Sequence, residues 1–284
     1  GDDTACLVCL LLAGKYIARH VDSPSWREIR GEDAPGLLLV CNAGEEGLGN
    51  LKGVRKICED YGGRIKSFCT FDSSLSSIVD RAVGSKRFRV KVRTRGGHSY
   101  NDFGNDNAIA GLASLVGKLY KIQVPEGGKT TYNVGMISGG TSVNTIAQEA
   151  EMLYEFRSDK RENLEYMERQ FMEVLDRAKA EGMDVSFQVI GVRPCEGQVD
   201  PAQKQALTDW AHRVVEEMTG QAPKHHAGST DCNIPLSMGI PAVSFGGYRG
   251  GGAHTRQEWV DAGSFEEGYN IILAFIGKYF IWKD

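Results

Sequence analysis

Two adjacent glutamates follow an apolar run in the first fifth of the sequence. The run GLLLVC, residues 36–41, leads into NAGEEGLGN, in which Glu45 and Glu46 are flanked by glycines. Neighbouring carboxylates repel each other, so a pair at the end of a core strand needs a chemical reason. At a turn the two side chains can diverge, so that one binds a metal ion and the other takes a proton from water. Most exposed glutamate pairs are simply solvated, so this pair indicates a site only together with other groups.

Three further groups with metal-binding chemistry lie at strand ends or turns. Asp2 stands at the start of the sequence, Asp72 ends the stretch IKSFCTFD, and His254 lies in GGGAHTRQEW. Carboxylates with few histidines suit zinc, cobalt or manganese, and a shared carboxylate can bridge two ions. Two ions about 3.5–4 Å apart can hold both an attacking water and a substrate oxygen. The set therefore indicates a metal-dependent hydrolytic site.

The elements that must position these groups alternate between helix and strand. Apolar periodicity predicts helices over residues 4–20, 51–61, 201–220 and 264–281 and short buried strands over 36–41, 65–72 and 240–247. This order is typical of an α/β fold, in which functional groups collect at the carboxyl ends of strands. We therefore expect the predicted ligands to gather at one edge of a sheet.

The middle of the chain has a different pattern of apolar and polar residues. Strands with period-two alternation and amphipathic helices follow one another in the order β-α-β-β-α-β, which is the ferredoxin-like split unit. We therefore predict a discontinuous α/β domain, residues 1–85 and 195–284, into which a small α+β domain, residues 86–194, is inserted.

Composition excludes several classes of function. The 284 residues carry a formal net charge of −4, which gives no electrostatic footprint for nucleic acid. No apolar run is long enough to span a bilayer, and CLVCLLLAG is too short and lacks the flanks of a signal peptide. The seven cysteines show no metal-type pairing, so we interpret them as reduced, mostly buried thiols, which predicts a cytoplasmic protein.

Over essentially its whole length the sequence resembles the di-zinc metallopeptidase superfamily that includes aminoacylase-1, carboxypeptidase G, acetylornithine deacetylase, succinyl-diaminopimelate desuccinylase and tripeptide aminopeptidase. The motifs that carry the resemblance, in family order, are GDDTA, GEEGLGNLKG, FDSS, RGGHSYNDFGNDNAI, GGTSVNTI, YEFRSD and GGAHTRQEW. The resemblance implies a zinc-exopeptidase-like three-layer catalytic domain and an inserted ferredoxin-like lid domain, through which the chain is predicted to form a homodimer.

The resemblance also implies a role for each site residue. The implied metal ligands, for two Zn²⁺ ions or alternatively Co²⁺ or Mn²⁺, are Asp2 as the bridge, Glu46, Asp72 and His254. The implied catalytic residues are Glu45 as general base and His98, which polarises the substrate carbonyl, usually in the active site of the partner protomer. The implied substrate contacts are Asn144, Arg157 and, in GSTDCN, Ser229 and Thr230 beside Asp231. Without the resemblance, Arg157 would be interpreted as an exposed strand arginine and Asn144 as a turn residue.

The sequence departs from the family in one respect. The family's catalytic domain begins with strands that carry an H-x-D segment, whose histidine is the remaining metal ligand, and this sequence contains no such segment. We therefore expect an N-terminally incomplete catalytic domain that is weakly active or inactive on its own. The predicted function is hydrolysis of an amide bond in a small peptide or N-acyl amino acid. The alternative is a truncated or degenerate non-catalytic relative that dimerises and binds a carboxylate ligand at Arg157.

Overall fold

The computed structural model describes residues 4–24, 36–75 and 77–277 of the chain. These residues form two compact units. The first unit takes its described residues from the chain up to Ala82 and from Gly197 onwards, and the second unit runs from Val83 to Glu196. Asp2, the predicted bridging ligand, lies outside the described residues.

A mixed four-stranded sheet forms the centre of the first unit. Its strands are β1 (Phe68–Phe71), β2 (Ser77–Ala82), β9 (Lys224–Gly228) and β10 (Ala242–Phe245). The strand order is β1-β10-β2-β9, with β1 parallel to β10, β2 antiparallel to β10, and β9 parallel to β2. A separate hairpin pairs β11 (Arg249–Gly251) with β12 (Trp259–Asp261). The strand β1 therefore lies at one edge of the sheet.

Helices cover both faces of this sheet. They are α1 (Thr4–His20), α2 (Lys52–Tyr61), α5 (Pro201–Thr219), α6 (Asn233–Ser237) and α7 (Phe265–Ile276). Val243 and Phe245 of β10 pack in one cluster with side chains of α1, α5 and α7, whereas Ala242 packs in another cluster with Leu236 of α6. Because successive strand residues point to opposite faces, these two clusters lie on opposite sides of the sheet. The predicted three-layer α/β architecture is confirmed.

Local sequence signals account for both ends of α5, the longest of these helices. Asp200 caps α5, since its carboxylate accepts hydrogen bonds from the backbone N–H groups of Ala202 and Gln203 at 2.9 and 3.1 Å. Pro201 occupies the first helical position, where no hydrogen bond is lost. Gly220 ends the helix in the left-handed conformation (φ +69°).

The prediction of a buried strand over residues 36–41 is wrong. Residues 36–45 have no regular secondary structure, and Leu38 and Leu39 are 53% and 40% exposed. Cys41 is exposed as well, although most of the seven cysteines are buried. An apolar run forms a strand only if a neighbouring strand hydrogen-bonds to its backbone. Among the described residues, the edge strand β1 forms its ladder with β10 and not with residues 36–41. The composition of the run was the only basis for the prediction.

The second unit has the ferredoxin-like topology that the sequence predicts. Its main elements are β3 (Gly84–Arg93), α3 (Ala108–Leu119), β5 (Thr130–Gly139), β7 (Glu149–Ser158), α4 (Arg161–Ala180) and β8 (Asp184–Arg193). Its main sheet has the order β5-β7-β3-β8 and is antiparallel throughout. A two-residue ladder joins β4 (Gly97–His98) to β6 (Thr145–Ile146).

The two faces of this sheet differ in character. Phe88, Val90 and Val92 of β3 are buried in one core with α3 and α4. The alternate residues of β3 carry positive charge and face glutamates of β7, in the pairs Arg87–Glu155, Lys91–Glu149, Lys91–Glu151 and Arg93–Glu149. Such partly exposed pairs contribute about 0–1 kcal/mol each. The sheet therefore presents a polar, ion-paired face on the side away from its helices.

Candidate active site

The turn that carries the two glutamates is closed by its own backbone. The N–H groups of Gly49, Leu51 and Gly53 donate to the carbonyl oxygens of Glu46, Gly44 and Ala43, at 2.8, 2.9 and 3.0 Å. Two of the glycines are required here. Gly44 has a φ of +85°, and a Cβ on Gly49 would lie 2.6 Å from the Gly44 Cα. The turn and the start of α2 are thus one tight structure that holds Glu45 and Glu46.

The structure brings Glu46 next to His254, a residue 208 positions later in the sequence. The His254 Nδ1 lies 3.8 Å from a carboxylate oxygen of Glu46. His254 belongs to the tip of the β11–β12 hairpin, where Thr255 Oγ1 donates to the Gly252 carbonyl at 2.6 Å. Both side chains are more than half exposed, so the pair is open to solvent and to a ligand.

Asp72 directly follows β1, and its backbone is anchored to the neighbouring strand. Its N–H donates to the Phe245 carbonyl at 3.0 Å, and its own carbonyl accepts from Ser244 Oγ at 3.3 Å. The next residue, Ser73, has a φ of +109°, and its Oγ lies 2.8 Å from that of Ser77. The backbone thus turns sharply at the point where the Asp72 carboxylate is presented.

Backbone strain is concentrated around the predicted ligands. Among the described residues, the non-glycine residues with positive φ are Asn50, Leu51, Ser73 and His254. His254 is itself a predicted ligand, and each of the other three follows Glu46 or Asp72 by at most five positions. Such conformations cost roughly 1–3 kcal/mol each and persist where the surroundings enforce them, often at functional sites.

One cavity of about 810 Å³ collects several of these groups. Glu45, Glu46 and Asp72 line it, together with Asp231 and apolar side chains of α1 and β1. Asp231 is 4% exposed, and the sequence alone does not assign it a role of its own. A cavity that combines apolar walls with a few converging polar groups is the usual form of a small-molecule site.

The donor chemistry of the site suits a divalent transition metal. An imidazole and a carboxylate side by side, as in His254 and Glu46, are typical zinc ligands. The described residues contain no group of three or more histidine, cysteine, aspartate or glutamate side chains arranged to hold a metal. They therefore supply two neighbouring donors of the predicted set, Asp72 is a third on the wall of the cavity, and Asp2 lies outside the described residues.

In the second unit, hydrogen bonds fix the orientation of His98. The backbone N–H groups of Tyr100 and Asn101 point at His98 Nδ1 from 3.3 and 3.4 Å, and the His98 N–H donates to Asp102 at 2.7 Å. An Nδ1 that accepts hydrogen bonds carries a lone pair, so the proton of the neutral ring is on Nε2. The exposed ring thus offers an Nε2–H donor, the group that polarising a carbonyl oxygen requires.

Asn144 lies beside His98 within the same unit. Its carbonyl accepts from the Ser99 N–H at 3.0 Å, and its side-chain Oδ1 accepts from Ser142 Oγ at 2.7 Å. The adjacent Thr145 pairs with His98 across the β4–β6 ladder. The short ladder therefore brings two predicted functional residues together that lie 46 positions apart in the sequence.

Arg157 is held by a neighbouring carboxylate. Its Nε and Nη2 donate to the two oxygens of Glu155 at 2.9 and 3.1 Å, and Arg87 donates to the same carboxylate at 3.1 Å. Burial alone would raise the pKa of Glu155, but hydrogen bonds and charges from Arg157 and Arg87 outweigh it, so the pKa lies below its ordinary value. The planar guanidinium group can bind carboxylates through two parallel hydrogen bonds, so Arg157 has the chemistry to bind an anion.

Thr230 and Ser229 lie in the turn between β9 and α6. Thr230 is buried, its Oγ1 accepts from the Cys232 N–H at 3.2 Å, and its own N–H donates to the Asn233 side chain at 2.9 Å. Of the GSTDCN segment, Asp231 is the residue that lines the cavity. The hydroxyl of Thr230 thus serves the geometry of its own turn, and a substrate contact by Ser229 or Thr230 stays a prediction.

Comparison with known proteins bears on both units. Residues 82–183 match the family model of the M20 peptidase dimerisation domain. A Mycobacterium tuberculosis protein named for succinyl-diaminopimelate desuccinylase, DapE, is 24% identical over 202 residues, covering 68% of this chain and 53% of that protein. A Haemophilus influenzae protein named as a homologue of p-aminobenzoyl-glutamate hydrolase is 26% identical over 187 residues, covering 61% and 42%. The chain thus spans about half the length of the curated relatives it matches.

The fold has clear relatives among solved structures. The crystal structure of aminopeptidase PepT from Bacillus cereus matches with a TM-score of 0.69 at 21% identity, covering 96% of this chain and 70% of that one. This likeness confirms the fold that the sequence predicts. Within its described residues, the chain has no helix with the length and apolar character needed to cross a bilayer.

Proposed function

We propose that the chain is a member of the M20 peptidase superfamily, whose dimerisation domain residues 82–183 match, and that it hydrolyses an amide bond in a small peptide or an N-acyl amino acid. The observation that carries this proposal is the approach of Glu46 and His254 beside the cavity lined by Glu45 and Asp72. The relatives above are themselves named as hydrolases of amide bonds, including a desuccinylase and an aminobenzoyl-glutamate hydrolase.

The proposed mechanism divides the work between the two glutamates. Glu46 and His254, with Asp72 and Asp2, would hold zinc, which lowers the pKa of a water molecule and polarises a carbonyl group. Glu45, on the wall of the same cavity, takes a proton from the attacking water. It then gives that proton to the nitrogen of the departing amine, so one carboxylate serves as base and as acid.

We propose roles for three residues of the second unit: His98, Arg157 and Asn144. His98 donates its Nε2–H to the carbonyl oxygen, where negative charge develops as the water attacks. Arg157, which Glu155 holds in place, binds the carboxylate of a substrate. Asn144, beside His98, contacts the substrate through its side-chain amide.

The test is hydrolysis with and without metal. We expect the chain supplied with Zn²⁺ to release amine from a panel of tripeptides, N-acetyl and N-succinyl amino acids. It should lose that activity in a chelator and regain it with Zn²⁺, Co²⁺ or Mn²⁺. Binding of a carboxylate ligand without turnover under all of these conditions would contradict the proposal and favour a non-catalytic relative.

We also propose that two copies of the chain pair through β5. This strand lies at an edge of its sheet, and its consecutive residues Met136 and Ile137 are 44% and 54% exposed. An exposed apolar edge strand favours pairing with another strand, and the dimerisation-domain match supports this choice of unit. In a twofold dimer of antiparallel strands, a residue near the axis meets its own copy.

A charge placed at this edge is expected to weaken the dimer. Ile137→Lys places an ammonium group on the pairing edge of each copy and removes apolar contact, so the dimer Kd rises about tenfold or more, which corresponds to about 1.4 kcal/mol. Val189→Lys on β8, the opposite edge, is the matched control, because Val189 is similarly exposed at 46%. Sedimentation velocity over a dilution series measures both. Equal effects of the two variants would contradict pairing through β5.

A further inference from the structure

Asp231 is a buried carboxylate on the wall of the cavity, and it contacts the segment that leads into the glutamate pair. It is 4% exposed, and its Oδ2 accepts a hydrogen bond from Asn42 Nδ2 at 2.8 Å. Asn42 stands three positions before Glu45. We propose that Asp231 is a positioning residue, which fixes the Glu45–Glu46 turn relative to the sheet through Asn42.

The backbone hydrogen bonds that close the turn are local. The bonds of Ala43, Gly44 and Glu46 run to residues 49–53, so they fix the shape of the turn and its attachment to α2. They do not fix where the turn lies relative to strands 150 or more positions away. The bond from Asn42 to Asp231 spans 189 positions and joins the turn to the segment between β9 and α6.

Charge makes this bond stronger than an ordinary side-chain contact. A hydrogen bond to an ionised carboxylate is about twice as strong as one between neutral groups. The thiol of Cys58 in α2 lies within the electrostatic reach of Asp231. Its pKa is raised to about 11, first by burial and then by the negative charge of Asp231. Burying a carboxylate is costly unless donors compensate it, so losing the Asn42 amide is expected to displace the turn and not merely loosen a surface contact.

The segment before the turn is irregular and partly exposed. Residues 36–45 have no regular secondary structure, and Leu38 and Leu39 are 53% and 40% exposed. A hydrophobic cluster packs α2, which directly follows the turn, against α6. Its buried members are Leu51, Val54, Cys58 and Ile234. Asp231 thus adds a hydrogen bond before the turn, to Asn42, where the irregular segment leads into the turn.

The consequence for catalysis rests on the proposed function. If Glu46 binds zinc and Glu45 takes a proton, both carboxylates must keep their places relative to His254, and a displacement of about 1 Å is costly. Asp231 does not contact the reacting atoms in this account. It acts through Asn42 on the residues that do.

The test exchanges the donor and the acceptor of the hydrogen bond between Asn42 and Asp231. Asn42→Asp puts a second carboxylate against Asp231, so the backbone amides of Gly49, Leu51 and Gly53, whose hydrogen bonds close the turn, should exchange with deuterium at least about tenfold faster, and the zinc Kd should rise about tenfold. Adding Asp231→Asn restores one donor and one acceptor, so the double variant should return both values to within about threefold of the parent. Asn42→Ala, at an exposed position, removes the donor without adding charge and should give an intermediate effect.

Asp200→Asn is the matched control, because Asn replaces Asp at a helix N-cap with little loss. It should change neither readout. The proposal is overturned if Asn42→Asp leaves exchange at Gly49, Leu51 and Gly53 unchanged, or if the double variant exchanges as fast as the single one. Exchange does not depend on turnover. Faster exchange in a chain that hydrolyses nothing would therefore overturn the proposed function and leave the positioning role standing.

Discussion

Replacing Glu45 by glutamine should lower the rate of amide hydrolysis by about 10²–10⁴, the usual contribution of a general acid–base group. The amide keeps the shape of the side chain but cannot take a proton from water. Since Glu45 is not a predicted ligand, the zinc Kd of Glu45→Gln should stay within about threefold of the parent. Turnover and zinc affinity, measured on the same preparation, separate the two roles.

Glu46→Gln is the matched variant for this experiment. It makes the same chemical change one residue along the chain, in the same turn and beside His254. It should weaken zinc binding by about tenfold or more, because a weak amide ligand replaces a carboxylate, and turnover should fall when zinc is limiting. Excess zinc should restore part of the activity of Glu46→Gln and none of that of Glu45→Gln.

Truncating Phe171 should have the largest effect on stability. This residue of α4 is fully buried, with its ring 4.3 Å from that of Phe88, 5.5 Å from Tyr154 and 5.8 Å from Phe187. Phe171→Ala removes these contacts and leaves a cavity, so the free energy of unfolding of the second unit should fall by about 3–5 kcal/mol. Urea unfolding followed by circular dichroism measures the change.

Phe103→Ala is the control, since Phe103 belongs to the same unit but is 90% exposed. Its effect should stay within about 0.5 kcal/mol. If Phe171→Ala costs less than about 1 kcal/mol, well below the usual range for a buried phenylalanine, the aromatic cluster is not the core of this unit. Because this unit contains the residues that match the dimerisation domain, a large loss of stability at Phe171 should also weaken the proposed dimer.

Much of the fold follows from local patterns in the sequence. Asp200, Pro201 and Gly220 mark the ends of α5, and the alternation of β3 predicts a buried and a charged face. These signals are local, and the structure confirms the elements they predict. The strand predicted over residues 36–41 failed because a strand also needs a partner, and a sequence of apolar residues does not show whether one is present.

The candidate site depends more on contacts between distant residues. The glycines of NAGEEGLGN predict a tight turn, but the 3.8 Å approach of His254 to Glu46 and the hydrogen bond of Asn42 to Asp231 join distant parts of the chain. Spacing cannot reveal such pairs without a family resemblance. A buried acid such as Asp231 differs from a solvated one only through its burial, which the structure alone supplies.

A single comparison decides whether Glu45 and Glu46 divide the work as proposed. Zinc affinity by calorimetry and amide hydrolysis are measured side by side for Glu45→Gln and Glu46→Gln. We expect parental zinc affinity without turnover for Glu45→Gln, and weakened zinc affinity with zinc-dependent recovery of turnover for Glu46→Gln. Zinc affinity lost equally in both variants, or turnover retained in Glu45→Gln, would show that the two glutamates do not have these separate roles.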